Sequence, residues 1–148
     1  MRKQANFERP RVVVTGLGTV SPLGNDVETT WQGLVTGRSG VRLITAFDTN
    51  GFPARIAATV KDFDPTLALD AKEARRLSPF IQYGIVAAAQ SVVQAGIDFA
   101  TEDPIRCGVE IGSSLGGAGI IEEQRLVLEA RGPRMINPTL IPAIIINS

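Results

Sequence analysis

The stretch from Pro79 to Ala95 constrains this chain more than any other part of it. Ser78 followed by Pro79 is the order favoured at a helix start, a capping residue and then proline at the first position, and Gly96 supplies the stop. Between them lie Phe80, Ile81, Ile85, Val86, Ala87, Ala88, Ala89, Val92 and Val93, which make the helix apolar over most of its circumference. Such a helix must be covered on several sides, so the chain reads as part of a layered structure. Gln82, Gln90, Ser91 and Gln94 interrupt the apolar run, and a lipid-facing span rarely carries four such residues together. No membrane segment is expected.

The remaining elements alternate. Arg11 to Thr15 is a β-branched run with the pattern of a buried strand, followed by a loop punctuated by Gly16, Gly18, Pro22 and Gly24. Asn25 is placed to cap a helix with Glu28 at its third position and an apolar stripe of Val27, Trp31, Leu34 and Val35. Gly37 ends it. Residues 38–51 are turn-rich. Ala54 to Val60 reads as a strand, and Asp70 as the cap of a short helix through Leu77. Ile105 to Ile111 is a third strand, Gly112 to Gly117 a glycine-rich turn, and Ile120 to Ala130 a helix with a charged outer face. Leu140 to Ile146 is almost wholly apolar. An uncovered apolar run of this kind, with only three strands, points to an α/β fold that lacks some of its covering layers. Residues 1–10 read as a polar tail, and residues 11–148 as one partial domain without a linker or internal repeat.

Composition removes several functions. The 148 residues suit one domain, and 15 basic side chains balance 15 acidic ones, so a nucleic-acid binder's overall positive charge is missing. The absence of histidine excludes Ser-His and Cys-His pairs and His-containing zinc sites within this chain. One cysteine cannot close an intrachain disulfide, which leaves a cytoplasmic location as the default. That residue, Cys107, falls inside a predicted strand with Arg106 on the opposite face, and reads as a buried structural cysteine.

Three groups of residues carry alternatives. Gly16-Leu17-Gly18 after a strand has the beginning of a dinucleotide-binding turn, but Ser21 stands at the third glycine position and the helix starts late, which favours a structural turn. Gly112-Ser113-Ser114-Leu115-Gly116-Gly117 could cradle an anion, form a tight turn, or present Leu115 to a cavity; no Lys follows, so it is no Walker loop. Lys72, Arg75 and Arg76 share one helix face and make either a solvated surface or a patch for an acidic partner.

In order and approximate spacing, Val12 to Gly24, Trp31, Leu34, Gly37, Ser39-Gly40, Phe47-Asp48, Phe80 to Gly84, Ile111-Gly112-Ser113, Gly116-Gly117, Gly132-Pro133-Arg134, Ile136-Asn137-Pro138, Pro142 and Asn147 resemble the start of the β-ketoacyl-acyl carrier protein synthases. The likeness is greatest to the type II elongating enzymes of fatty-acid synthesis and spans nearly all of residues 11–148. It implies a thiolase-like αβαβα layered fold, present here only in part, and a homodimer in the complete enzyme. The family joins an acyl group, held as a thioester on a catalytic Cys, to malonyl-acyl carrier protein after decarboxylation, with two histidines and backbone amides stabilising the oxyanions. It needs no metal or nucleotide cofactor.

The family's nucleophile and histidines follow the Ile136-Asn137-Pro138 segment and would lie beyond Ser148, and Cys107 does not match the nucleophile. The resemblance therefore implies no catalytic residue in this chain, roughly a first third of an enzyme and inactive alone. It places Lys72, Arg75 and Arg76 on the surface that docks acyl carrier protein, Leu115 in the acyl-chain pocket, and Leu140 near that pocket at the dimer interface. Ser113-Ser114 departs from the family's usual Ser-Gly. Two alternatives stand beside this reading, a noncatalytic synthase-like protein that binds acyl carrier protein or a partner chain, and a polyketide synthase of the same fold.

Overall fold

A computed structural model describes residues 11–145; the polar tail and residues 146–148, among them Ile146 and Asn147, lie outside the described residues. Along the chain come α1 (Val27–Val35), β1 (Val41–Leu43), β2 (Ile56–Ala58), α2 (Ala71–Ala74), α3 (Pro79–Ala95), α4 (Ala118–Arg131) and α5 (Leu140–Ile144). Single 3-10 turns stand at Pro65–Leu67, Pro104–Arg106 and Pro133–Met135. β1 and β2 pair antiparallel, with Val41 opposite Ala58 and Leu43 opposite Ile56. The loop between them is closed by an edge-on contact of Phe47 and Phe52.

α3 is the hub, as its composition requires. It runs from Pro79 to Gly96, which takes the left-handed conformation, and it holds Val86, a side chain only 2% exposed. Phe63 packs edge-on against Tyr83 with ring centroids 4.7 Å apart. On another side the backbone of residues 16–20 lies directly on the helix, and a Cβ at Gly18 would run into the Ala87 carbonyl oxygen. Only glycine permits that approach. The polar residues that interrupt the apolar run serve this contact. Gln94 Oε1 accepts from the Leu17 amide at 2.5 Å and Gln90 Oε1 from the Thr19 amide at 3.0 Å, while Gln90 Nε2 donates to the Asn25 carbonyl at 2.6 Å. Two glutamines one helical turn apart thus bond alternate backbone amides, much as a neighbouring strand would.

Three expectations are corrected. Arg11 to Thr15 forms no strand among the described residues, and Val12 is 89% exposed. Ile105 to Ile111 is likewise unpaired, because Asp103 and Pro104 start a local turn instead. The Asp103 carboxylate accepts from the Ile105 amide at 3.0 Å, with proline at the first position. Cys107 follows that turn and is exposed, not buried. A ladder needs a second chain segment alongside, and without one these runs have nothing to bury against. Within 38–51, read as turns, residues 41–43 find such a partner and become β1.

The helix starts separate in the same way. α1 is capped by Asp26, whose Oδ1 accepts from the Thr29 amide at 2.7 Å, not by Asn25. The Asn25 amide is engaged elsewhere, donating to the carbonyls of Lys61 at 2.8 Å and Asp62 at 3.1 Å. Ser78 occupies the capping position of α3 but makes no capping hydrogen bond, and its hydroxyl is buried. Asp70 caps α2 as expected, although that helix ends at Ala74 instead of continuing to Leu77. Pro79 forces Ser78 into the extended region (φ −68°, ψ 155°), and the approach to it tightens into i to i+3 bonds, Arg76 N to Glu73 O at 2.9 Å among them.

The apolar side of this fold is largely open. The buried apolar side chains among the described residues are Ala74, Val86 and Ala143. The apolar stripe on α1, with Trp31, Leu34 and Val35, faces solvent. The chain exposes 12297 Å², against about 7300 Å² for a compact monomer of 15.8 kDa.

Candidate functional site

The cationic turn is built from short-range signals. Both the Lys72 and the Glu73 amides donate to Asp70 Oδ1 at 2.8 Å. The Glu73 amide above all, helped by that of Lys72 and by the charge of Arg76, holds the Asp70 carboxyl below the ordinary aspartate range. At the other end Gln82 Nε2, from the first turn of α3, donates to the carbonyls of Ala74 at 2.7 Å and Leu77 at 2.9 Å. Ala74 is buried between these anchors, so the turn points its charges outward. Lys72, Arg75 and Arg76 are all exposed. What they can do is attract an anion or an acidic surface. In the sequence Gln82 was visible as a polar interruption of an apolar helix and as part of the Phe80 to Gly84 resemblance, with no sign of its acceptors.

Leu115 and Leu140 belong to two elements that the fold brings together. Leu115, 77% exposed, is on the loop leading into α4, whereas Leu140 is half-buried at the first position of α5. The loop abuts the other end of α5. Gly117 N donates to the Ile144 carbonyl at 3.4 Å, and a Cβ at Gly116 (φ +54°) would lie 2.5 Å from the same oxygen. Gly116 N meanwhile donates to Ser113 Oγ at 3.2 Å. The two amides that an anion cradle would use are thus committed to the turn and its packing, and the glycines serve close approach. The nucleotide alternative at Gly16-Leu17-Gly18 also falls, because that segment lies along the flank of α3 and not at a helix N-terminus.

A cavity of about 890 Å³ lies elsewhere, between the loop Ser21–Asp26, Arg38, β1 and Lys61-Asp62. Neither Leu115 nor Leu140 lines it. Ser21 Oγ accepts from the amides of Leu23 and Gly24, and the Arg38 guanidinium donates to the Leu23 carbonyl, so this wall is locked by its own backbone bonds. The residues that form it were legible only as turn punctuation.

The chain matches the family model "Beta-ketoacyl synthase, N-terminal domain" over residues 9–148. This chain belongs to the β-ketoacyl synthase family. Two curated relatives place this family member further. It is 48% identical over 141 residues to the 3-oxoacyl-[acyl-carrier-protein] synthase 2 of Coxiella burnetii and 44% identical over 141 residues to that of Vibrio harveyi. Each alignment covers 95% of this chain and 34% of the relative, so the chain spans about a third of the length of these relatives.

Solved ketosynthases share the fold. The ishigamide ketosynthase/chain length factor superposes with a TM-score of 0.74 at 33% identity, covering 93% of this chain and 34% of that one. AntDE:AntF, a type II PKS acyl-carrier protein in complex with its ketosynthase, superposes with a TM-score of 0.73 at 30% identity, covering 93% of this chain and 37% of that one. The expected thiolase-like fold, present in part, is therefore the fold of this synthase chain. Among its described residues no helix is long and apolar enough to cross a membrane.

Proposed function

We propose that this chain is the N-terminal, carrier-docking part of a 3-oxoacyl-acyl carrier protein synthase that elongates fatty acids in the cytoplasm as a homodimer. In this reading a catalytic Cys carries the acyl thioester, malonyl-acyl carrier protein loses carbon dioxide, and the resulting carbanion attacks the thioester carbonyl and releases the Cys thiolate. The present chain has no histidine, and its one thiol, Cys107, has no part in that chemistry. Its contributions are a docking face of Lys72, Arg75 and Arg76 and two pocket residues, Leu115 and Leu140.

The observation that carries this reading is the clamped turn at α2, which exposes Lys72, Arg75 and Arg76 beside the exposed acid Glu73, while Asp70 is occupied by backbone amides. Identity of 44–48% to the 3-oxoacyl synthases, against 30% to the type II PKS ketosynthase, supports the fatty-acid reading over a polyketide one. The test is titration of acyl carrier protein into this chain and into the Lys72→Ala/Arg75→Ala/Arg76→Ala variant. Removal of three charges should weaken binding at least tenfold at low salt and flatten its salt dependence. Unchanged affinity and salt slope would overturn the docking reading. Incubated with acyl- and malonyl-acyl carrier protein, the chain alone should show no condensation above a protein-free control; turnover would remove the assignment of the chemistry to residues elsewhere.

A further inference from the structure

We propose that Gln82 is a positioning residue for the carrier-protein face, acting by holding α2 in the conformation that presents Lys72, Arg75 and Arg76. The inference rests on the docking reading above and adds what keeps the docking element in place. A single helical turn is far too short to persist in water by itself. The N-terminal end of α2 is secured by Asp70. Its C-terminal end cannot run on into α3, because Pro79 excludes Ser78 from the helical region, so the carbonyls leading up to it exchange i+4 donors for i+3 ones, the last of them, Leu77 N to Ala74 O, stretched to 3.4 Å.

Gln82 reinforces this end, where the Ala74 carbonyl otherwise accepts only from the Leu77 amide at 3.4 Å. Its Nε2 donates at 2.7 Å to the carbonyl of Ala74, the last residue of α2, and at 2.9 Å to that of Leu77, where the chain leaves the turn. An amide nitrogen has two hydrogens, and both are committed here. Among the described residues no other side chain bonds these carbonyls. The base from which Gln82 reaches is firm, since the next residue, Tyr83, packs on Phe63 and Val86 lies one turn further along in the core. The three cations thus ride on a turn fixed at one end by an aspartate and at the other by a glutamine from the central helix.

The experiment compares four proteins for binding of acyl carrier protein by fluorescence anisotropy: the chain, Gln82→Met, the triple alanine variant of Lys72, Arg75 and Arg76, and the two combined. Gln82→Met keeps length and volume but removes both donors, and should weaken binding about fivefold, the worth of roughly one net hydrogen bond. In the triple variant the same change should have no further effect, since the turn no longer carries charge. Amide exchange should quicken at Ala74, Arg76 and Leu77 while Val86 to Val93 stay protected. Unchanged affinity for Gln82→Met beside a weakened triple variant would overturn the positioning role and leave docking intact. An ineffective triple variant would instead overturn docking. An equal loss from Gln82→Met in both backgrounds would show a general structural effect and also overturn positioning. Should Met disturb α3, seen as faster exchange at Val86, Gln82→Leu makes the same comparison under the same criteria.

Discussion

Urea unfolding of the isolated chain measures how much surface its fold removes from water. An unfolded polypeptide of 15.8 kDa exposes about 22900 Å² by linear scaling with mass. The folded chain exposes 12297 Å², so folding buries roughly 10600 Å² on that scaling. A compact monomer of equal mass would bury about 15600 Å². The ratio is about two thirds, and both the urea m-value and the heat-capacity change follow exposed area. The m-value should therefore be about two thirds of that of a compact domain of this length, and ΔCp about 1.4 kcal/mol/K in place of about 2. Urea melts followed by circular dichroism, calorimetry for ΔCp and sedimentation velocity to establish the monomer make the assay. A monomer with the full m-value would refute the reasoning, because it would mean that the apolar faces of α1 and of residues 11–15 close on the chain's own core. An m-value that rises with protein concentration would show copies covering one another instead.

Three further outcomes follow from particular contacts. The Asp70 carboxyl is depressed in the fold, so its stabilisation is present above the unfolded value of about 3.9 and is lost as pH falls through the lower folded value; exchange at the Lys72 and Glu73 amides should quicken only below about pH 4, and Asp70→Ala should make it fast at every pH. Gly18→Val must lift residues 16–20 off α3 and break the bonds to Gln90 and Gln94, a loss of about 2–3 kcal/mol in urea melts, whereas Gly119→Ala in α4, with open space around it, should gain up to about 1 kcal/mol. Equal effects would contradict the packing described for Gly18. In a synthase of the relatives' full length, Leu115→Phe should shorten the acyl chains accepted, and an unchanged product profile by mass spectrometry would remove Leu115 from the pocket.

The carrier-binding candidate was half legible. The spacing of Lys72, Arg75 and Arg76 and the cap at Asp70 lie within seven consecutive residues, and the helix bonds they imply are equally short in range. The clamp at Gln82 was hidden, because a glutamine in an apolar helix announces polarity and not its acceptor. Leu115 and Leu140 were placed by resemblance, and only folding showed that their elements pack through Gly116-Gly117 and Ile144.

The same division of range runs through the fold. The span of α3 could be read from Ser78-Pro79 at one end and Gly96 at the other, since a helix closes its hydrogen bonds four residues away and its stop signals are local. That Asp26 and not Asn25 caps α1 was not legible: the carbonyls of Lys61 and Asp62, far along the chain, fix the Asn25 side chain by its amide nitrogen and leave its Oδ1 buried without a partner, while Asp26 Oδ1 takes the Thr29 amide. The β-branched runs at 11–15 and 105–111 have strand composition, but composition supplies no partner; Val41–Leu43, with a weaker pattern, became a strand because Ile56–Ala58 lies beside it. Ladder hydrogen bonds join segments distant in sequence, so it is the three-dimensional arrangement that completes them or leaves them open.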